Sequence, residues 1–206
     1  MVITSYENVA EDEELDIRGA SHPLPDASGE IAAQALLERV KQAEQGELVL
    51  CLISGGASAL LPLPSGGLSL EDKIATTELL LASGADITEI NSVRKHMSRI
   101  KGGQLARQSM PAEVHSLILS DVLGDDLSAI ASGPTVPDNT TFADAWRVFE
   151  KRGLVDQLPV TVRDHLQSGL NNPDPETPKS DNPLFRKVSN TLVGSNRISV
   201  EAVSSI

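Results

Sequence analysis

A chain of 206 residues is long enough for one large α/β domain, and 40% hydrophobic content with only 2% aromatics implies a core of Leu, Val, Ile and Ala. The formal net charge of −12 argues against a broad surface for nucleic acid or anionic membrane. A single cysteine, Cys51, excludes an internal disulfide framework and fits a reducing, cytoplasmic setting; no run of about 18 apolar residues is available to span a membrane, and the start MVITSYENVAEDEELD is too acidic for a signal peptide.

Short strands are expected near 2–6 and 15–20, with the acidic stretch 7–16 as a solvated loop or hairpin tip between them. "SHPLPDASGE" is a proline-rich connection. Ile31, Ala35, Leu36, Val40 and Ala43 then recur at helical spacing over 29–45, and Gly46 ends that helix. The run "ELVLCLI" (47–53) has the continuous apolar character of a strand buried on both faces of a parallel sheet. "SLED" opens the next helix as a capping box, with Asp72 three residues after Ser69, and the helix runs through about Leu81 to Gly84. Asp86 with Glu89 repeats the signal for a further helix. "VHSLILSDV" (114–122) is a second buried strand, and 140–153 an amphipathic helix closed by Gly153. Residues 168–186 contain many Pro, Asn and Asp and are expected as a flexible loop or linker. A last strand and turn occupy 187–196, and a helix begins at Arg197. The alternation predicts a layered α/β/α fold with a mainly parallel, Rossmann-like sheet, and in such sheets ligands bind at the carboxyl ends of the strands: after 53, after 120 and after 194.

Three stretches near those ends have the residues for chemistry. In Ser54-Gly55-Gly56-Ala57-Ser58 the glycines permit a sharp turn and close approach to a ligand, and the serines add donors. A plain strand-to-helix turn is the alternative. Another is a serine nucleophile: Gly56-Ala57-Ser58-Ala59 is one residue short of a nucleophile elbow, and Ser58, Asp121 or Asp125, and His165 follow the hydrolase order. Pro62 and Pro64 oppose it, because an elbow is followed by a long helix. The second stretch is "NSVRKHMSRIKGG", where Arg94, Lys95, His96, Arg99 and Lys101 crowd together without an acid in an otherwise acidic chain. Such an island suits phosphate or carboxylate groups, and Gly102-Gly103 lets backbone come near; a solvated helix face is the alternative. In the third, "SDVLGDDLSAIASGPT", Asp121 and Asp125 stand where a strand ends and could hold Mg²⁺, while Asp126 caps a short helix. His22, before Pro23, can point into a site. His115 begins a strand and reads as structural. No His/Cys spacing suggests zinc.

Together "HPLPD" (22–26), "LISGGASALLPLP", "LLLASGADITEINSVRKHMSRIKGGQLA", "LILSDVLGDDLSAIASGPT" and "LVGSNRISVEA" resemble the glycerate 2-kinase family, also called MOFRL-type or class II glycerate kinases, some members of which are labelled hydroxypyruvate reductases. The resemblance covers nearly the whole chain, in order. It implies an α/β fold and ATP-dependent phosphorylation of D-glycerate to 2-phosphoglycerate with Mg²⁺. It points to Ser54, Gly55, Gly56 and Ser58 in a ligand-binding loop and to Arg94, Lys95, Lys101, Asp121 and Asp125 around the cleft; Gly102 joins the basic residues as a candidate for phosphate, nucleotide or substrate, and Asp121 and Asp125 are the candidates for Mg²⁺. The family's loop is often richer in glycine, and Ala57 takes one such place. Family members are about twice as long, with a catalytic lysine in a Gly-Lys-Ala context upstream and an arginine in a C-terminal domain. Neither motif occurs here, so the expectation is a partial N-terminal domain, 1–206, that is inactive alone or a remnant binding only nucleotide or anion. The dinucleotide fingerprint G-x-G-x-x-G with its downstream acid is absent, which counts against a reductase.

Overall fold

The structure is a computed structural model and describes residues 1–172 and 176–204. Local sequence sets most of its helix boundaries. Asp26 accepts from the Gly29 amide at 2.9 Å and starts α1 (Ala27–Val40). Ser69 and Asp86 each form a full capping box, with Asp72 and Glu89, at the starts of α3 (Leu70–Ala82) and α4 (Ile87–His96). Thr141 and Asp144 do the same for α6 (Phe142–Arg152), which Gly153 closes with a φ of 66°.

The sheet strands are β3 (Leu48–Ile53), β4 (Glu113–Leu119) and β5 (Val188–Gly194), all parallel and in the order β3-β4-β5. A separate parallel pair joins β1 (Val2–Ser5) to β2 (Ile17–Ala20), Val2 opposite Ile17. The hairpin alternative for residues 2–20 is therefore not realised: a hairpin would make the pair antiparallel, and 7–16 instead cross back to restart β2 alongside β1. The remaining helices are α2 (Ala57–Leu60), α5 (Gln104–Gln108), α7 (Val160–Asn171) and α8 (Asn196–Ser204). Among the described residues, no helix is long and apolar enough to cross a membrane.

Two cores form. In one, Val49 and Cys51 of β3 pack with Ala33, Leu37 and Val40 of α1 and with Ile100. Burial there pushes the Cys51 thiol up to about 11, so it behaves as a core residue and not as a nucleophile. The other core joins α3, α4, α6 and α7 through Leu80, Val93, Met97, Phe149 and Leu166. Each fully buried side chain of this size contributes about 1.5–3 kcal/mol.

Two expectations are corrected. Residues 48–53 are not buried on both faces: burial alternates along β3, with Leu48, Leu50 and Leu52 on an uncovered side of the sheet where Leu52 is 74% exposed. No described element of the chain packs over that face closely enough to bury it. The described part of 168–186 is not a free linker either. Residues 168–171 complete α7, and Glu176, Thr177 and Lys179 hydrogen-bond to His96, Asp138 and the Thr140 carbonyl respectively. Residues 173–175 of that expected linker lie outside the described residues.

Candidate active site

The carboxyl end of β3 runs into Ser54-Gly55-Gly56, and Gly56 turns the chain with a φ of 82° into the single helical turn α2. Two neighbours press on these glycines. A β-carbon on Gly55 would overlap Oδ2 of Asp121, which follows β4, and one on Gly56 would lie 3.1 Å from the His22 ring. Glycine is needed here for close approach. The ends of β3 and β4 and the "HPLPD" segment thus meet at one place, with Ser54 exposed at its rim.

Ser58 sits on the floor of this loop. Its backbone carbonyl and its Oγ both accept from Nζ of Lys101, each at 3.0 Å, and its Oγ lies 3.2 Å from Ser132 Oγ. Ser132 in turn donates to Asn91 of α4 at 3.1 Å. The segment that positions Ser132 is strained: Ala131, Ser132 and Gly133 have φ of 52°, 60° and 63°, and two of them are not glycine. Left-handed non-glycine residues persist where surrounding contacts hold them, and they concentrate at functional sites. Here the turn also directs the Ala131 carbonyl to Lys101 Nζ at 3.5 Å.

Lys101 is buried and, among the described residues, has no carboxylate partner. Burial, together with the charges of Lys73 and Arg94, drives its amine well below the usual lysine range. Lys73 of α3 is only 5% exposed, and burial with Arg94 alongside lowers it to about 8. Burial also lowers Arg94. Among the described residues, neither the Lys73 amine nor the Arg94 guanidinium has a hydrogen bond or ion pair. Lys101, bonded to Ser58, thus feels the charges of Lys73 and Arg94, and among the described residues no acid is bonded to any of the three.

The basic stretch 94–101 does not act as one patch. Consecutive helical residues point about 100° apart, so Arg94 and its neighbours face different partners. Lys95 is turned to Asp138, 3.1 Å away in a buried ion pair that balances its charge. Nδ1 and Nε2 of His96 lie 2.7 Å from the Ser92 carbonyl and 2.8 Å from Glu176. Burial would raise the Glu176 carboxyl, but hydrogen bonds from His96, the Phe142 amide and Lys179 hold it well below the usual carboxylate range. Arg99 reaches Gln34 on α1. Gly102 donates its amide to the Ser132 carbonyl at 2.9 Å, and Gly103 likewise bonds Gly133.

Of the two aspartates, Asp121 is exposed beside Gly55, whereas Asp125 accepts from Ser195 at 3.0 Å and Arg197 at 3.4 Å. Hydrogen bonds from Ser120 and Ser195, with Arg197, hold Asp125 below its ordinary range. Its task is to tie the loop after β4 to the start of α8. Among the described residues no three His, Cys, Asp or Glu side chains form a metal cage. Asp121 fits the lesser demand of Mg²⁺, which commonly takes one or two carboxylates and completes its shell with water and phosphate.

A serine-nucleophile triad is not assembled. Ser58 Oγ is engaged by Lys101 and Ser132, while His165 Nε2 bonds the His96 carbonyl at 2.7 Å in the α4–α7 layer. Two cavities, of about 370 and 560 Å³, lie on that side and beside α1; His96, Arg99 and Arg107 line the first, and Ile31, Gln34 and Arg99 the second. Neither is lined by the Ser54–Ser58 loop or by Lys73. Their basic groups already have protein partners, which leaves the unbalanced cluster as the better candidate for an anionic ligand.

Comparison with known proteins identifies the family. The chain is 46% identical over 204 residues to a glycerate 2-kinase of Pyrococcus horikoshii, covering 99% of this chain and 46% of that protein. It is 47% identical over 180 residues to an Agrobacterium vitis protein that carries a hydroxypyruvate reductase name, covering 87% of this chain and 40% of that one. The solved glycerate kinase from Thermotoga maritima superposes with a TM-score of 0.87 at 39% identity, over 98% of this chain and 46% of that chain, which bears out the α/β fold with its parallel sheet. The chain spans less than half the length of these relatives. Residues 1–167 match the family described as a domain of unknown function, DUF4147, and the chain belongs to that family.

Proposed function

We propose that the protein containing this chain phosphorylates D-glycerate with ATP, giving 2-phosphoglycerate and ADP in the cytoplasm. The observation that carries the reading is that Lys101, which holds the loop after β3, feels the charges of Lys73 and Arg94 with no acid bonded to any of them among the described residues. Phosphoryl transfer is mostly positioning and charge neutralisation, and both glycerate and the nucleotide bring oxyanions that need fixed cations. The names of the P. horikoshii and T. maritima relatives support the same chemistry.

In this reading Lys101 is held rigid by Ser58 and orients the glycine loop, while Arg94 and Lys73 take the anionic end of a substrate. Gly55 and Gly56 let backbone amides come close to it. Asp121 would hold Mg²⁺ arriving with the nucleotide, and that ion would neutralise charge developing on the phosphates. The hydroxypyruvate reductase alternative has no dinucleotide fingerprint in the sequence to support it. ADP release from ATP that depends on D-glycerate tests the reading. Oxidation of NADH with hydroxypyruvate, without ADP formation, would replace it.

A further inference from the structure

We propose that Lys73 is an anion-binding residue of the cleft and that, with Arg94 and Lys101, it forms a seat for one ligand oxyanion, a carboxylate or a phosphate. The proposal rests on reading the Ser58 loop as the substrate cleft.

The sequence around Lys73, "LEDKIATTELLLA", would place a lysine in solvent. The fold instead sets it on the buried face of α3 with Leu70, Thr76 and Leu80. A cation so buried is normally paired. Among the described residues no acid is bonded to it: Asp72 caps Ser69, Glu89 bonds Arg152 and Lys151, Asp138 pairs with Lys95, and Glu176 bonds His96. The charges acting on Lys73 and Lys101 are cationic: Arg94 on both, and Lys73 in addition on Lys101. Lys101 at least has the neutral oxygens of Ser58 and Ala131 as acceptors. Among the described residues Lys73 and Arg94 have none, and an oxyanion seated between them would give both an acceptor. Such binding would also explain how three like charges are kept together, because the ligand supplies the missing negative charge.

The test uses this 206-residue chain and two anions, inorganic phosphate and D-glycerate, against chloride at equal ionic strength. Thermal shift and calorimetry should show that the chain binds at least one of them. Lys73→Met should weaken that binding by about 10- to 100-fold, the worth of one charge-assisted hydrogen bond. In chloride Lys73→Met should melt no lower than the parent, since the charge it removes is unpaired. Binding of phosphate alone assigns the seat to a phosphoryl group, and binding of D-glycerate alone assigns it to the carboxylate. Either result supports the proposal. If the methionine variant does not fold, Lys73→Gln replaces it in the same measurements.

A parent chain that binds neither anion overturns the seat. So does a Lys73 variant that binds as the parent does. The kinase reading fails separately. D-glycerate-dependent ADP release with a KM unchanged by Lys73→Met would leave the kinase reading and remove the seat. Absence of that activity, with anion binding still lost in Lys73→Met, would keep the seat and remove the kinase reading.

Discussion

Nζ of Lys101 lies 3.0 Å from both the carbonyl and the Oγ of Ser58, and this pair fastens the glycine loop after β3 to the turn after α4. The amine is buried and its acceptors are neutral, so the pair is sensitive to the loss of either oxygen. Ser58→Ala removes one acceptor from a buried cation, at a cost of about 1.5–3 kcal/mol. In a chain of this length that corresponds to a fall in Tm of roughly 3–10 °C, measurable by calorimetry.

Lys95 and Asp138 form a buried pair at 3.1 Å, to which Thr140 and Thr177 add hydrogen bonds. Asp138→Asn alone leaves Lys95 uncompensated and should destabilise by about 3–5 kcal/mol in urea titration. Lys95→Met combined with Asp138→Asn should lose less than the two single changes added together. Phosphate or D-glycerate binding by whatever fraction remains folded should be unaffected.

Glu89 caps α4 and bonds Arg152 and Lys151, and these contacts lower its carboxyl from 4.5 to about 2, with the Arg152 hydrogen bond the largest cause. A lowered folded value means that the contribution is fully present above the unfolded value and fades as pH falls from about 4.5 towards 2. Glu89→Gln should therefore cost about 1–2 kcal/mol at pH 7, the sum of a cap and a small ion network. The gap between variant and parent should close by about pH 2. Denaturant titrations at pH 7, 4 and 3 measure it.

Gly55→Ala would drive a β-carbon into the Asp121 carboxylate. The loop is at the rim of the domain, so Asp121 is expected to move and the core to stay intact. D-glycerate-dependent ADP release should fall about 10- to 100-fold, the cost of a displacement near 1 Å, with little change in Tm.

Much of the architecture was legible because local chemistry agrees with the fold. Ser69 with Asp72 and Asp86 with Glu89 mark their helices correctly, and the apolar runs at 48–53 and 113–119 are strands. The parallel pairing of β1 with β2 was not legible, since a strand does not encode its partner's direction. Nor was the open face of β3, where an unbroken apolar run looks the same whether one side or both are covered. The meeting of Ser54–Ser58 with Asp121 could be anticipated from their positions after strands. The basic stretch misled because linear proximity was read as spatial proximity, whereas Arg94, Lys95 and His96 point to three environments. Lys73 was missed for the opposite reason. A lysine among Glu71, Asp72 and Glu78 looks solvated, and only its helical spacing from Leu70 and Leu80 hints at an inward direction.

The most direct test of the account is a product analysis of the protein that contains this chain, supplied with ATP, Mg²⁺ and D-glycerate and followed by phosphorus NMR. The account predicts one new phosphomonoester, on the C2 oxygen of glycerate, formed in step with ADP and lost in Lys101→Met. Hydroxypyruvate-dependent NADH oxidation with no phosphomonoester would contradict it.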